Sequence, residues 1–267
     1  MFFKPVYRQM ALIILFASSL ADCRSVQSEP TKPLTPTKPV PNPALPTSSI
    51  ITTHTPQRLS PGSALNAYAF PDSIDPAKRY LFYLHGKIIE DQGIPAISPD
   101  YGEYEYEAIL KKLSSYGFVV ISEQRPKDTD GVAYAKRITE QVRALLDAKV
   151  PAKYITVVGA SKGAGIVIYV SHFLENKEIN YVIMAICHPD TVTAFKKEQI
   201  SLYGNVLSIY DSTDTLAGSC KDLFAFSEGK GLSSYDEVVL QIGTGHGILF
   251  KPLDEWVKPV FQWAGKQ

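Results

Sequence analysis

The sequence predicts an α/β domain with a mostly parallel central sheet flanked by helices. Three observations carry that prediction. Continuous apolar runs of strand length recur from residue 80 onward, amphipathic stretches of helical period separate them, and one run passes through a glycine-flanked turn straight into an all-apolar helix. Strands that are apolar at every position, rather than at every second one, are covered on both faces, which is the condition of a parallel sheet between helical layers. Chemistry in such a sheet gathers at the carboxyl ends of the strands. The chain has 267 residues, 45% of them hydrophobic and 20% charged, enough for one domain with a sizeable core. Its formal net charge of zero gives no reason to expect a nucleic-acid partner.

The elements follow in order. Strands are expected at 80–84, 118–121, 154–158, 181–186, 206–210 and 238–242. A first helix is expected to open at Asp100, with Glu103 completing a capping box. It places Tyr106, Ile109, Leu110 and Leu113 on one face and stops at Gly117. A second opens near Asp130 and carries Ala135, Ile138, Val142, Leu145 and Leu146 on one stripe. The helix after the glycine-flanked turn is apolar all round at 166–170 and should be central. Residues 60–79, with Leu65, Ala67, Tyr68 and Phe70, suggest an antiparallel edge strand or two, interrupted by Pro61, Pro71 and Pro76. The stretch 88–104 reads as a loop longer than the usual roughly 2–6 residues, hence a substrate loop, with Tyr101 and Tyr104 either lining a pocket or packing around a helix start.

The first sixty residues have a different character. Lys4 and Arg8 precede the apolar run 11–17, the pattern of a secretory signal peptide, with a core too short for the ~20 residues of a spanning helix. Residues 1–23 end in Leu20-Ala-Asp-Cys23, which resembles a bacterial lipoprotein box whose cysteine is lipidated. Asp22 departs from that pattern, and Ser19-Leu-Ala21 offers an ordinary cleavage site instead; the lipoprotein reading has the merit of accounting for Cys23. Residues 24–60 are rich in Pro, Thr and Ser and read as a semi-extended tether, leaving 61–267 as the folded domain. In an exported protein Cys187 and Cys220, each following a strand on the same sheet edge, are a candidate disulfide.

The turn itself is Gly159-Ala-Ser-Lys-Gly163, and it is followed by Ala164-Gly165. A strand-to-helix turn this sharp crowds its flanking positions, so glycine is needed on either side of Ser161, and it lifts the hydroxyl clear of the sheet. The amide of Lys162, at the helix start, is then free to bind a developing oxyanion. The same letters also look like the phosphate turn of short-chain dehydrogenases. That turn follows the first strand of a domain, whereas this one lies mid-chain and no Tyr-x-x-x-Lys pair comes after it. A Ser-Lys dyad using Lys162 fails because adjacent helical residues do not face each other.

With these motifs in place, residues 60–267 resemble the α/β-hydrolases, whose catalytic residues follow the chain order Ser, acid, His. The resemblance implies Ser161 as nucleophile. For the acid, the strand at 206–210 leads to Asp211 and Asp214; family spacing selects Asp214, leaves Asp211 as a turn-forming carboxylate, and makes Asp190 a weaker alternative. His246, in the glycine-rich loop after the last strand, is the implied base, with His188 an alternative and His54, His85 and His172 in tether or core roles. Leu84-His-Gly-Lys87 resembles the family's His-Gly turn, so the amides of Lys87 and Lys162 would form the oxyanion hole. Glu123-Gln-Arg125 stands where the family often has Asp-x-Arg-Gly, and reads as a structural ion pair. The short span between the strands at 181–186 and 206–210 leaves no room for a cap domain. The resemblance thus implies a serine hydrolase acting on carboxylic esters through an acyl-enzyme, taking a small ester or acyl substrate and needing neither cofactor nor metal. The alternatives are a serine peptidase or thioesterase of the same fold, or a noncatalytic envelope binding protein. The signal places the protein in the cell envelope, lipid-anchored, or outside the cell.

Overall fold

A computed structural model describes residues 66–265. The signal peptide, the lipoprotein box, the tether, Pro61 and Leu65 lie outside the described residues. Along the chain come β1 (Arg79–Leu84), α1 (Lys87–Gln92), β2 (Ile97–Ser98), β3 (Gly102–Glu103), α2 (Tyr106–Ser114), β4 (Phe118–Ile121) and α3 (Gly131–Asp147). They are followed by β5 (Ile155–Ala160), α4 (Lys162–Leu174), β6 (Asn180–Met184), α5 (Pro189–Lys197), β7 (Gly204–Asp211), α6 (Lys221–Ser227), β8 (Leu232–Leu240) and α7 (Asp254–Ala264). Six strands form one all-parallel sheet in the order β4-β1-β5-β6-β7-β8. It is a parallel α/β sheet, with β5 in its interior and buried at every position.

The central strands are buried almost throughout, and mostly apolar, because helices cover both faces. Leu81, Tyr83, Val158, Val182 and Leu207 share a cluster with Trp256 and Val260 of α7. On α4, Ile166, Val167, Ile168, Tyr169 and Val170 are all buried, as an all-apolar helix requires. Between β6 and β7 the chain makes only α5, so no cap domain is inserted there.

Four expectations need correction. α2 starts at Tyr106, with Glu105 as its N-cap, and not at Asp100. Residues 97–103 form the β2–β3 hairpin instead: Gly102 takes φ +78°, and the Ser98 hydroxyl accepts from the amides of Asp100 and Tyr101 at 3.2 and 3.3 Å. The amides of Tyr104 and Glu105 are committed to Ala96 O and Phe250 O, at 2.9 and 2.7 Å, and cannot join a helix. Hence 88–104 is not a structureless loop; it holds α1 and the hairpin. Within 66–78 there is no strand, only a single 3₁₀ turn at Asn66–Tyr68. Finally, the last strand runs Leu232–Leu240, ending two residues before the predicted limit and starting six before the predicted start, where residues 233–236 are exposed and so carry no apolar run.

Candidate active site

Ser161 stands at the end of β5 with φ 51° and ψ −117°, a conformation that costs of order 1–3 kcal/mol for a residue with a side chain. The surrounding bonds hold it there. Its amide donates to Met184 O on β6 at 2.9 Å, and its carbonyl accepts from the amides of Ala164 and Gly165 at 2.8 and 3.1 Å. The flanking glycines are sterically required: a Cβ on Gly163 would collide with the Leu84 carbonyl of β1, and one on Gly159 with the Gly163 backbone. Ser161 is consequently presented, half-buried, at the carboxyl edge of the sheet.

The loops after β7 and β8 meet at the same edge. Asp214 and His246 are joined by a 2.8 Å bond from imidazole Nδ1 to carboxylate Oδ2. Since a carboxylate only accepts, Nδ1 carries the proton, and Nε2 of the neutral ring is left as an acceptor. The other oxygen of Asp214 accepts from the amide of Leu216 at 2.8 Å, which fixes the carboxylate plane. Asp211 has a different task. It is fully buried, accepts from Thr213 N and Oγ1 at 2.9 and 2.5 Å, and reaches across to the amides of Ile242 and Gly243, both at 3.1 Å. Thr213 Oγ1 in turn accepts from Gly245 N at 3.1 Å. Asp211 and Thr213 thereby stitch the acid loop to the histidine loop. Burial alone would raise the Asp211 carboxyl, but the donors of Thr213 and Ile242 outweigh it and hold it below the usual carboxylate range.

Opposite, the His-Gly turn follows β1. Lys87 and Lys162 are the first residues of α1 and α4, so neither amide has an acceptor within its own helix. The peptide before Lys87 is oriented by His85: Nδ1 donates to Gly86 O at 2.8 Å, while Nε2 accepts from Arg125 N at 2.9 Å. In a trans peptide the N–H points away from the C=O, so fixing the Gly86 carbonyl also fixes the direction of the Lys87 amide. Burial, followed by the Arg125 charge, pushes the His85 imidazole well below its ordinary range and keeps it neutral. Gly86 lies against the nucleophile; a Cβ there would sit 3.7 Å from Ser161 Cβ.

Of the remaining sequence candidates, only Tyr101 lies beside the site. His188 caps α5 by accepting from Asp190 N at 3.3 Å, and His172 Nδ1 lies 3.4 Å from the Ser201 amide it accepts from. Tyr104 is core, bonded to the Tyr83 hydroxyl at 2.7 Å, with its phenol pushed up to about 12, chiefly by burial. Tyr101 is half-exposed, packs on Phe250 and overlies Gly247 beside His246; burial and then the Asp214 charge raise its phenol. Arg125 does not pair with Glu123. Its partner is Glu90, at 2.9 Å, while Glu123 binds Arg137 at 2.7 Å. Lys162 Nζ turns to Glu90 and to Thr129 O, at 2.6 and 2.8 Å, rather than to solvent. Sequence reading missed Glu90 and Thr213; the one signal for Glu90 was an acid set directly after Ile88 and Ile89. Cys187 and Cys220 form a disulfide, with Cα atoms 5.2 Å apart. Among the described residues, no group of three or more His, Cys, Asp and Glu is placed to hold a metal ion.

No protein-family model matches this chain, and no curated protein sequence does. Solved structures are similar to it. SOBER1 of Arabidopsis thaliana aligns with 69% of this chain and 100% of its own, at 14% identity and TM-score 0.45. A putative dienelactone hydrolase from Klebsiella pneumoniae aligns with 74% of this chain and 90% of its own, at 10% identity and TM-score 0.49. An esterase/lipase from an uncultured bacterium aligns with 71% and 78%, at 13% identity and TM-score 0.45.

Proposed function

We propose that this protein is a serine hydrolase of carboxylic esters. The observation that carries the reading is the 2.8 Å His246–Asp214 bond at the sheet edge that also presents Ser161 on its strained turn. In this reading His246 Nε2 takes the Ser161 proton as Oγ attacks the ester carbonyl, and Asp214 orients the ring and stabilises its charged form. The oxyanion of the tetrahedral intermediate is received by the amides of Lys87 and Lys162. On collapse the leaving alkoxide takes the proton from His246, an acyl-Ser161 remains, and water repeats the sequence to release the acid. With no cap domain inserted between β6 and β7, the described residues would leave the site open, which favours compact esters over long lipid chains; Tyr101 would form one wall.

Fluorophosphonate labelling tests the reading. The wild-type chain is expected to label at one site and Ser161→Ala not at all; equal labelling of both would overturn it. A panel of p-nitrophenyl esters of rising acyl length, set against thioesters and peptide anilides, then separates esterase from thioesterase and peptidase, with short esters expected to turn over fastest.

The proposal extends to location. The chain is exported and held at the cell envelope through a lipid on Cys23. Support comes from within the domain, since a disulfide such as Cys187–Cys220 persists in oxidising compartments and is rare in the cytosol.

A further inference from the structure

Behind the proposed oxyanion hole lies a buried charge cluster that the ester-hydrolysis scheme leaves unused. Glu90 is three residues into α1 from Lys87, and its side chain is fully buried. One carboxylate oxygen takes Arg125 Nε at 2.9 Å, and the other takes Lys162 Nζ at 2.6 Å. Arg125 is itself fully buried and also donates to His85 O, at the base of the His-Gly turn. The Lys162 side chain is only 15% exposed and donates as well to Thr129 O. One carboxylate therefore ties together α1, the turn after β1, the segment after β4 and the first residue of α4. The two helix starts joined in this way are those whose amides are proposed above to receive the oxyanion.

The charges do not cancel. Glu90 supplies one negative charge against the positive charges of Arg125 and Lys162, and His85 adds none because it is neutral. Burying a surplus cation costs free energy unless something offsets it; here the Tyr134 ring, 5.4 Å from Arg125 Cζ, and the carbonyls of His85 and Thr129 share the load, and the positive potential that remains would favour negative charge developing beside Ser161.

We propose that Glu90 and Lys162 are positioning residues for transition-state stabilisation. Their ion pair sets the spacing of the two oxyanion donors, and the surplus positive charge of the cluster lowers the energy of the oxyanion. The inference rests on the reading of Ser161 as nucleophile, and the test separates the two.

Steady-state hydrolysis of p-nitrophenyl acetate is measured for wild type, Lys162→Met, Lys162→Gln, Lys162→Arg and Glu90→Gln, alongside fluorophosphonate labelling and thermal melting. Lys162→Met is expected to lower kcat roughly 10- to 100-fold, less than the ~10²–10³-fold loss on removing a donor itself, with KM changed no more than about threefold. Lys162→Gln, whose amide still reaches Glu90, should show the same kcat loss if Lys162→Met fails to fold. Lys162→Arg, which keeps both the ion pair and the charge, should recover a substantial part of kcat, and Glu90→Gln should lose kcat because the pair that spaces the donors is broken, which outweighs the added positive charge. A purely structural role would shift melting without this split between kcat and KM. Should wild type label at Ser161 while Lys162→Met and Lys162→Gln keep kcat within about twofold, the inference is wrong and the hydrolase reading stands. Should wild type fail to label, both fall.

Discussion

Two aspartates three positions apart show how position decides role at the residue scale. Asp214 accepts from His246 and from one local amide, whereas Asp211 accepts from both ends of a loop pair. Asp214→Asn should therefore cut kcat on the order of 10³–10⁴-fold with little change in melting, because an amide no longer holds the imidazole in its working tautomer. Asp211→Asn should lower the melting temperature, since its NH₂ would face amide donors, and reduce activity only through the loosened loops. If Asp211→Asn proves the more damaging to kcat, the assignment of the acid fails. The pH dependence has a definite sign. A carboxyl whose folded pKa is depressed stabilises the fold above its unfolded pKa of about 3.9, and that contribution vanishes as pH falls through the lower folded value. The melting difference between wild type and Asp211→Asn should thus be full at pH 7 and close below about pH 4. None of this division was visible in the sequence beyond the spacing that favoured Asp214. The bonds from Asp211 to Ile242 and Gly243 span 31 and 32 residues, and no local pattern records them. Glu90 was equally hidden, because its partners Arg125 and Lys162 lie 35 and 72 residues away.

At the scale of elements, legibility followed burial. β1, β4 and β5 could be read within about two residues because nearly every position is buried, whereas β8 was found only at its C-terminal end. Ser233, Ser234, Tyr235 and Asp236 face solvent on this edge strand, so no apolar run marks them. The start of α2 was misplaced for another reason: Asp100 and Glu103 have the spacing of a capping box, but Gly102 and the Ser98 hydroxyl close a hairpin there first. A covalent link then joins elements across the sheet edge, from the loop before α5 to the N-cap of α6. The span 187–220 encloses α5, β7 and Asp214. Closing a loop of 33 residues restricts the unfolded chain by about 4 kcal/mol. Cys187→Ser with Cys220→Ser should therefore melt roughly 10 °C below wild type. Wild type treated with a strong reductant should converge on the same value. If the paired variant melts with untreated wild type, the bridge contributes nothing to stability.

For the whole molecule, the sheet was legible because a parallel α/β domain repeats one pattern, an apolar strand followed by an amphipathic helix. How the domain is delivered rests on residues 1–60, whose composition differs from all that follows. A cysteine lipidated after cleavage becomes the first residue of the mature chain, whereas cleavage after Ala21 leaves Asp22 first and Cys23 a free thiol. Mass spectrometry of the N-terminal peptide, from full-length protein expressed in a bacterial host, distinguishes the two outcomes directly. The expected peptide begins at Cys23 and carries at least two acyl chains, because one chain gives only marginal, reversible membrane binding. On detergent-phase partition such a protein should enter the detergent phase and Cys23→Ala should not. A peptide beginning at Asp22, with the wild-type protein in the aqueous phase, would show a secreted enzyme without an anchor, while the Ser161 site would stand unaffected.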